Sequence, residues 1–168
     1  MLENLKERRS IRKYKPEQVS DAHLDAILEA GLYAASGMNT QNTIMVAVRD
    51  QQTRDQLSRM NASVMGTNSD PFYGAPCVVV VLVDPERYTW IEDGSLVMGN
   101  LMQAAYEAGL GSCWIHRAQQ MFDSEEGKAL LRKWGLPENL KGVGNCILGY
   151  ADESPAPKPR LEGRIIKV

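Results

Sequence analysis

The sequence predicts an α+β or α/β domain with a small sheet set between helices, on three observations. The run "CVVVVLVD", which starts at Cys77, is rich in β-branched residues and has no polar alternation, as a strand covered on both faces requires. Elsewhere apolar residues recur at helical spacing, as at Leu24, Ile27, Leu28 and Leu32. The patterns also alternate along the chain as helix, helix, strand, helix, strand, long helix, strand, helix, strand. No repeat or linker-like stretch divides the 168 residues, so residues 1–168 read as one domain.

In order, residues 2–9 read as a short helix with Leu2 and Leu5 on one side. Ser20 is a good N-cap for the helix in "SDAHLDAILEAGLYAAS", because its hydroxyl can accept from a free amide of the first turn. "IMVAVRD" is a strand ended by Asp50, and residues 51–64 form a helix with Leu57, Met60 and Val64 on one face. After the central strand, a long helix covers residues 91–108 with Val97, Leu101, Ala104, Ala105 and Ala108 as its apolar stripe. That helix is nearly apolar all round beyond Leu96, which places it in a core or a subunit interface. "GLGSCWI" supplies glycine stops and a short strand. Ser124 caps the helix "EEGKALLRKW", which Gly135 and Pro137 end. "GVGNCILGY" is the last central strand. The prolines of "ADESPAPKPRLEGRIIKV" keep the first part of the tail extended.

Composition narrows the function classes. A formal net charge of -2, with 24% charged and 43% hydrophobic residues, is that of an ordinary soluble protein and not of a chain that lives on nucleic acid. The N-terminus lacks a signal-peptide pattern, and no apolar run approaches the roughly 20 residues that cross a bilayer. Cys77, Cys113 and Cys146 are odd in number and lack C-x-x-C spacing, and there are two histidines. Buried thiols in a reducing cytoplasm are therefore expected, with no disulfide framework and no metal site.

Standard phosphate signatures fail. "GVGNCILG" has Ile147 where a dinucleotide-binding motif needs its third glycine, and Phe122 precedes the Gly127-Lys128 pair where a P-loop needs glycine. Two basic clusters remain: Arg8, Arg9, Arg12, Lys13 and Lys15 in "ERRSIRKYKP", and Lys158 and Arg160 in "PKPR". Guanidinium forks match phosphate oxygens, and a proline-stiffened backbone loses less entropy when it fixes a side chain. A solvated, charged helix end is the competing reading. The stretch "ASGMNTQN", residues 35–42, sits between a helix and a strand, where backbone N–H groups and the Asn39 and Gln41 amides suit the edge of a heterocycle. Read alone, it is equally an ordinary polar loop.

Taken together, "RRSIRKY", "SGMNTQ", "GLGSCWI" and "ILGYADESPAPKPR" occur in one order over nearly the whole chain and resemble the FMN-dependent nitroreductase family. The resemblance implies a central, mainly antiparallel sheet wrapped by helices, in an intertwined homodimer. Residues 1–168 would be a single FMN-binding domain, with 150–168 an extended C-terminal arm. It also implies a cytoplasmic flavoprotein that passes a hydride from NADH or NADPH through FMN to a small-molecule acceptor such as a nitroaromatic or quinone. No nucleic acid, membrane or metal would be involved.

Carried over residue by residue, the resemblance puts Arg8 and Ser10 on the FMN phosphate and ribityl chain. Arg9 joins them through main chain or guanidinium. Arg12 faces the pyrimidine edge, where a cation stabilises negative charge that builds during reduction. Lys158 and Arg160 close on the phosphate. Ser36, Gly37, Asn39 and Gln41 reach the flavin from the partner subunit, and Asn68 meets the ring or ribityl group. Trp114 and Ile115 line one flavin face, and a main-chain N–H near His116 or Arg117 approaches N5. Because the flavin carries the chemistry, no essential general base is expected, and His116 is the one candidate proton donor.

The chain departs from the family pattern at its substrate end. Ala35, Asn42 and Thr43 replace two prolines and a tryptophan, and "IHR" stands where many members have a glycine after the isoleucine. Two other readings stay open: the same flavin fold with a different reaction, such as dehalogenation or flavin destruction, and a non-enzymatic phosphate-ligand module.

Overall fold

The protein is described from a computed structural model over residues 2–168, apart from the Leu2 side chain. Eleven elements follow one another: α1 (Leu2–Glu7), α2 (Asp21–Leu32), a 3₁₀ turn (Gly37–Asn39), β1 (Thr43–Val48), α3 (Gln51–Met65), β2 (Cys77–Val83), α4 (Trp90–Glu107), β3 (Gly111–Ile115), α5 (Ala118–Asp123), α6 (Glu125–Lys133) and β4 (Lys141–Gly149). The four strands form one sheet in the order β1-β2-β4-β3, and every strand pair is antiparallel. That is the α+β alternative, with the two strands read as central in the middle.

All seven residues of β2 are buried. Alternate side chains go to opposite faces, as the pleat dictates. Val78, Val80 and Leu82 pack with Leu57, Met60, Phe122 and Leu131 beneath α3, α5 and α6. Cys77, Val79, Val81 and Val83 pack with Leu24, Ile27, Met98 and Leu101 beneath α2 and α4. Two apolar layers explain a strand without polar alternation. Each such side chain stabilises the fold by roughly 1.5–3 kcal/mol.

The helix starts are set by their caps. Ser20 accepts from the His23 amide at 3.3 Å, Asp50 from the Thr53 amide at 2.8 Å, and Ser124 from the Gly127 amide at 3.1 Å. The expected stripes hold with two corrections. Leu32 is 68% exposed, and the buried end of the α2 stripe is Gly31, packed against Met45. Val64 is 41% exposed, because α3 lifts away from the core in its last turn. The pairing expected between Leu2 and Leu5 falls on a side chain outside the described residues, and Leu5 is exposed.

Helix α5 was not anticipated. It begins at Arg117, which has φ 76° and makes no capping bond, so no cap residue announces it. Ser124 closes it by donating to the Met121 carbonyl at 2.6 Å while capping α6. Past Gly149, residues 152–168 are exposed apart from half-buried Pro155. Among the described residues no helix is long and apolar enough to cross a membrane.

Candidate functional site

After α1 ends at Glu7, the basic stretch leaves the helix and runs extended along the sheet edge. Ser10 bridges Ser112 of β3 in parallel, and the Ile11 amide donates to the Ser112 carbonyl at 3.0 Å. The next residues meet the start of the C-terminal segment. Tyr14 bridges Ala151, the Lys15 amide donates to the Tyr150 carbonyl at 2.9 Å, and the Asp152 amide donates to the Lys13 carbonyl at 2.9 Å. The Arg12 amide donates to Glu153 at 2.5 Å. Lys13 is mostly exposed and forms an ion pair with Asp152 at 3.0 Å.

This path separates the cations. Arg8 is half-buried, and its Nη1 is buried with no hydrogen-bond partner among the described residues. Burial pushes the Cys146 thiol well up, and the Arg8 charge acts the other way. Arg9 turns back instead, donating to the Lys6 and Arg8 carbonyls at 2.6 and 2.9 Å, in a cleft shared with Glu7 and Tyr106. Arg12 and Lys15 are exposed.

The end of β3 forms the second part of the site. Trp114 lies over Gly144, where a β-carbon would come within 2.6 Å of the indole Nε1, so the "GVGN" glycine makes room for a ring. Ile115 is buried, and its carbonyl accepts from Asn145 Nδ2 at 3.3 Å. The His116 carbonyl accepts from Asn61 Nδ2 at 2.7 Å. Arg117 follows in the left-handed region, which costs a non-glycine residue on the order of 1–3 kcal/mol. Its Nε donates to Asn61 Oδ1 at 3.0 Å. Asn61 and Asn145 are both fully buried, so each is a fixed polar post within an apolar layer.

Arg12, Trp114, Ile115, His116 and Arg117 together line a cleft of about 420 Å³, whose opposite wall includes Met65 and Tyr73. Asp70 also lines it. Burial works against the ionised form of Asp70, but Arg54, Ser58 and the Gly74 and Phe72 amides outweigh burial and hold its carboxyl below the usual range. Asn68 is exposed in an adjoining groove between α3 and residues 66–70, which meets the cleft at Ser69 and Asp70.

The loop of residues 36–41 is built differently. Met38, Asn39 and Gln41 all have positive φ, between 50 and 55°. The loop is pinned at its base, where the Gly37 amide donates to Asp93 Oδ1 at 2.8 Å. Asp93 is 2% exposed, and its other oxygen accepts from the Thr89 hydroxyl at 3.1 Å. Gly37 is required there, since a β-carbon would come within 2.4 Å of Thr89 Oγ1. Ser36 Oγ accepts from the Gln41 amide at 3.1 Å, while Asn39 and Gln41 face outward. Ser36 and Gln41 line a separate cleft of about 170 Å³ with Met45 and Val97.

Of the expected residues, then, Arg12, Trp114, Ile115 and His116 share one cleft, and Arg8 and Ser10 lie along the same sheet edge. Ser36, Gly37, Asn39 and Gln41 stand on a separate loop, and Lys158 and Arg160 lie on the exposed arm. Sequence reasoning missed Asn61, Asn145, Asp93 and the Arg117 side chain. A polar Asn61 beside Met60 on the buried face of α3 was the available signal. Among the described residues, no group of three or more His, Cys, Asp or Glu side chains gathers to hold a metal.

The comparisons agree with the fold. The sequence model of the nitroreductase family matches residues 5–69 and 61–150. A nitroreductase of Bacteroides fragilis, solved with bound FMN, is 32% identical and superposes with a TM-score of 0.89 over 99% of this chain and 97% of that one. A provisionally named NADH dehydrogenase/NAD(P)H nitroreductase of Archaeoglobus fulgidus is 34% identical over 85% of this chain and 80% of its own length. An NADPH-flavin oxidoreductase of Vibrio harveyi is 26% identical over 98% of this chain and 71% of its own length.

Proposed function

The chain belongs to the nitroreductase family, and from that premise we propose that it is an FMN-dependent oxidoreductase using NADH or NADPH. The observation that carries the reading is a set of buried polar atoms with no partner among the described residues: Arg8 Nη1, Ser112 Oγ, Trp114 Nε1 and Asn145 Oδ1. All belong to the β3–β4 end of the sheet or to the segment laid against it. Buried polar groups are normally paired, so the orphaned Arg8, Ser112 and Trp114 atoms at the β3 edge suit a ligand with anionic and heterocyclic edges, while Asn145 turns to the opposite face beside Met121. The residues present fit FMN.

When bound, FMN supplies the redox chemistry, accepting a hydride from NADH or NADPH and yielding electrons to an acceptor such as a nitroaromatic or quinone. The protein binds and positions. Arg8 and Ser10, with Arg9 beside them and Lys158 and Arg160 from the arm, would hold the phosphate and ribityl chain. Arg12 would place a positive charge by the pyrimidine edge. The clamp of Asn61 and Asn145 on the Ile115 and His116 carbonyls fixes the corner whose backbone amide would face N5. Trp114 would cover one face, Asn68 would stand near the ring, and His116 is the candidate proton donor.

The unit would be a homodimer. The loop carrying Ser36, Gly37, Asn39 and Gln41 stands apart from the Arg12 cleft, and the arm leaves Leu161, Ile165 and Ile166 73–84% exposed. A second copy that takes the arm and offers its loop would cover both. Residues 1–168 would then be one flavin-binding domain with residues 150–168 as its arm. The three buried, unpaired cysteines suit a reducing cytoplasm.

The test is anaerobic: purified protein should be yellow, release FMN on denaturation, and bleach when NADH or NADPH is added. Colourless protein that cannot be reconstituted with FMN would refute the reading. Turnover with nitroaromatics, quinones and halogenated phenols distinguishes nitro or quinone reduction from dehalogenation.

A further inference from the structure

The cleft at the β3–α5 corner has a surplus of positive charge that flavin binding does not use up. Arg12 and Arg117 both line it, and Asp70 is the carboxylate among its walls. Asp70 is already engaged by Arg54 at 2.7 Å, by Ser58 and by two backbone amides. Arg12 is assigned to the pyrimidine edge. Arg117 has no carboxylate within ion-pair distance among the described residues.

Arg117 is also held in an unusual way. It occupies a left-handed position with φ 76°, which glycine would adopt without strain. Strain persists only where the surroundings over-determine it. Here the fully buried Asn61 grips Nε at 3.0 Å and leaves Nη1 and Nη2 without an acceptor among the described residues. A guanidinium fixed at Nε presents its terminal nitrogens as a ready-made fork for a carboxylate. Across the cleft, the 43% exposed Tyr73 and the 47% exposed Met65 offer an aromatic and an apolar wall.

On the flavin reading above, we propose that Arg117 is a specificity determinant that selects acceptors bearing a carboxylate on an aromatic ring, with Asn61 as its positioning residue. Neutral aromatics satisfy only the Met65–Tyr73 wall.

The experiment uses the FMN-loaded protein in its oxidised state. Benzoate, a non-reducible anion, and benzyl alcohol, its neutral counterpart, are titrated and read by the flavin difference spectrum. Turnover of 4-nitrobenzoate against 4-nitrobenzyl alcohol gives a second ratio. Benzoate should bind more tightly than benzyl alcohol, and Arg117→Gly should weaken benzoate at least tenfold while far-UV circular dichroism stays unchanged. Arg117→Lys, which keeps the charge but loses the Nε held by Asn61, should recover only part of that affinity. Asn61→Ala should lower the preference for benzoate over benzyl alcohol about threefold.

Benzoate affinity unaltered in both Arg117 variants would overturn the proposal. So would weakened NADPH binding with benzoate unaffected, which would assign the guanidinium to the donor's phosphate. Protein that takes no FMN refutes the flavin reading and this inference together. Yellow protein with Arg117-independent benzoate binding refutes this inference alone.

Discussion

Three regions of this chain hold non-glycine residues in the left-handed region, and two of them, the β3–α5 corner and the 36–41 loop, are secured in opposite ways. At the β3–α5 corner, Arg117 is gripped by a buried side chain from α3, and the carbonyls before it are gripped by Asn61 and Asn145. In the 36–41 loop, Met38, Asn39 and Gln41 carry the same backbone strain, but the tie to the core is a single amide donated to Asp93. The tip is open, with Met38 87% exposed. One half of the candidate site is therefore complete within the chain. The other is anchored at its base and presented outward, as a surface offered to a second copy would be.

This contrast can be broken by experiment. The largest effect is expected on the fixed side. Arg8→Ala removes a half-buried cation, and FMN affinity should fall about 100-fold, the worth of a strong charge-assisted contact. Far-UV circular dichroism should stay unchanged, and unaltered affinity would take the phosphate away from this edge. Next is Asn61→Ala, which leaves the His116 carbonyl and the Arg117 Nε unpaired. Urea unfolding should show a loss of about 2–3 kcal/mol.

Asp93→Ala should cost less, about 1–2 kcal/mol, because it frees an amide at the foot of a loop. It should also speed proteolytic cleavage within residues 36–41, an effect absent in Asn61→Ala. Equal cleavage in the two variants would erase the distinction between the halves.

A smaller effect follows from Asp70, whose carboxyl is held below its ordinary range. A depressed carboxylate contributes stability that is fully present above its unfolded value, near pH 4, and is lost as pH falls through the folded value. Stability should therefore decline as pH drops below about 4, more steeply in the wild type than in Asp70→Asn. The smallest effect belongs to Lys13→Ala. Its pair with Asp152 is solvent-exposed, and denaturation should register no more than about 0.5 kcal/mol.

Local signals were legible in the sequence. The unbroken β-branched run of β2, the Ser20 and Ser124 caps and the glycine stops each depend on near neighbours. So do the opening arginines and the Trp114 strand end, which brought four of the expected residues into one cleft. What escaped depends on distant partners. Asn61 meets the His116 carbonyl 55 positions away, and Asp93 meets the Gly37 amide 56 positions away. Neither leaves a pattern in its own stretch. Helix α5 escaped because a left-handed arginine starts it. Leu32 and Val64 were read as core because helical spacing marks an apolar stripe without showing where along the helix the core stops.

The central claim is that FMN lies at the β3 end against Trp114. Titrating FMN into the flavin-free protein while following tryptophan fluorescence tests it most directly. The account predicts saturation at about one FMN per chain, with most of the quenching lost in Trp114→Phe although the stoichiometry stays the same, because a bound flavin quenches the indole it touches. Absence of saturable binding, or quenching that is undiminished in Trp114→Phe, would contradict it.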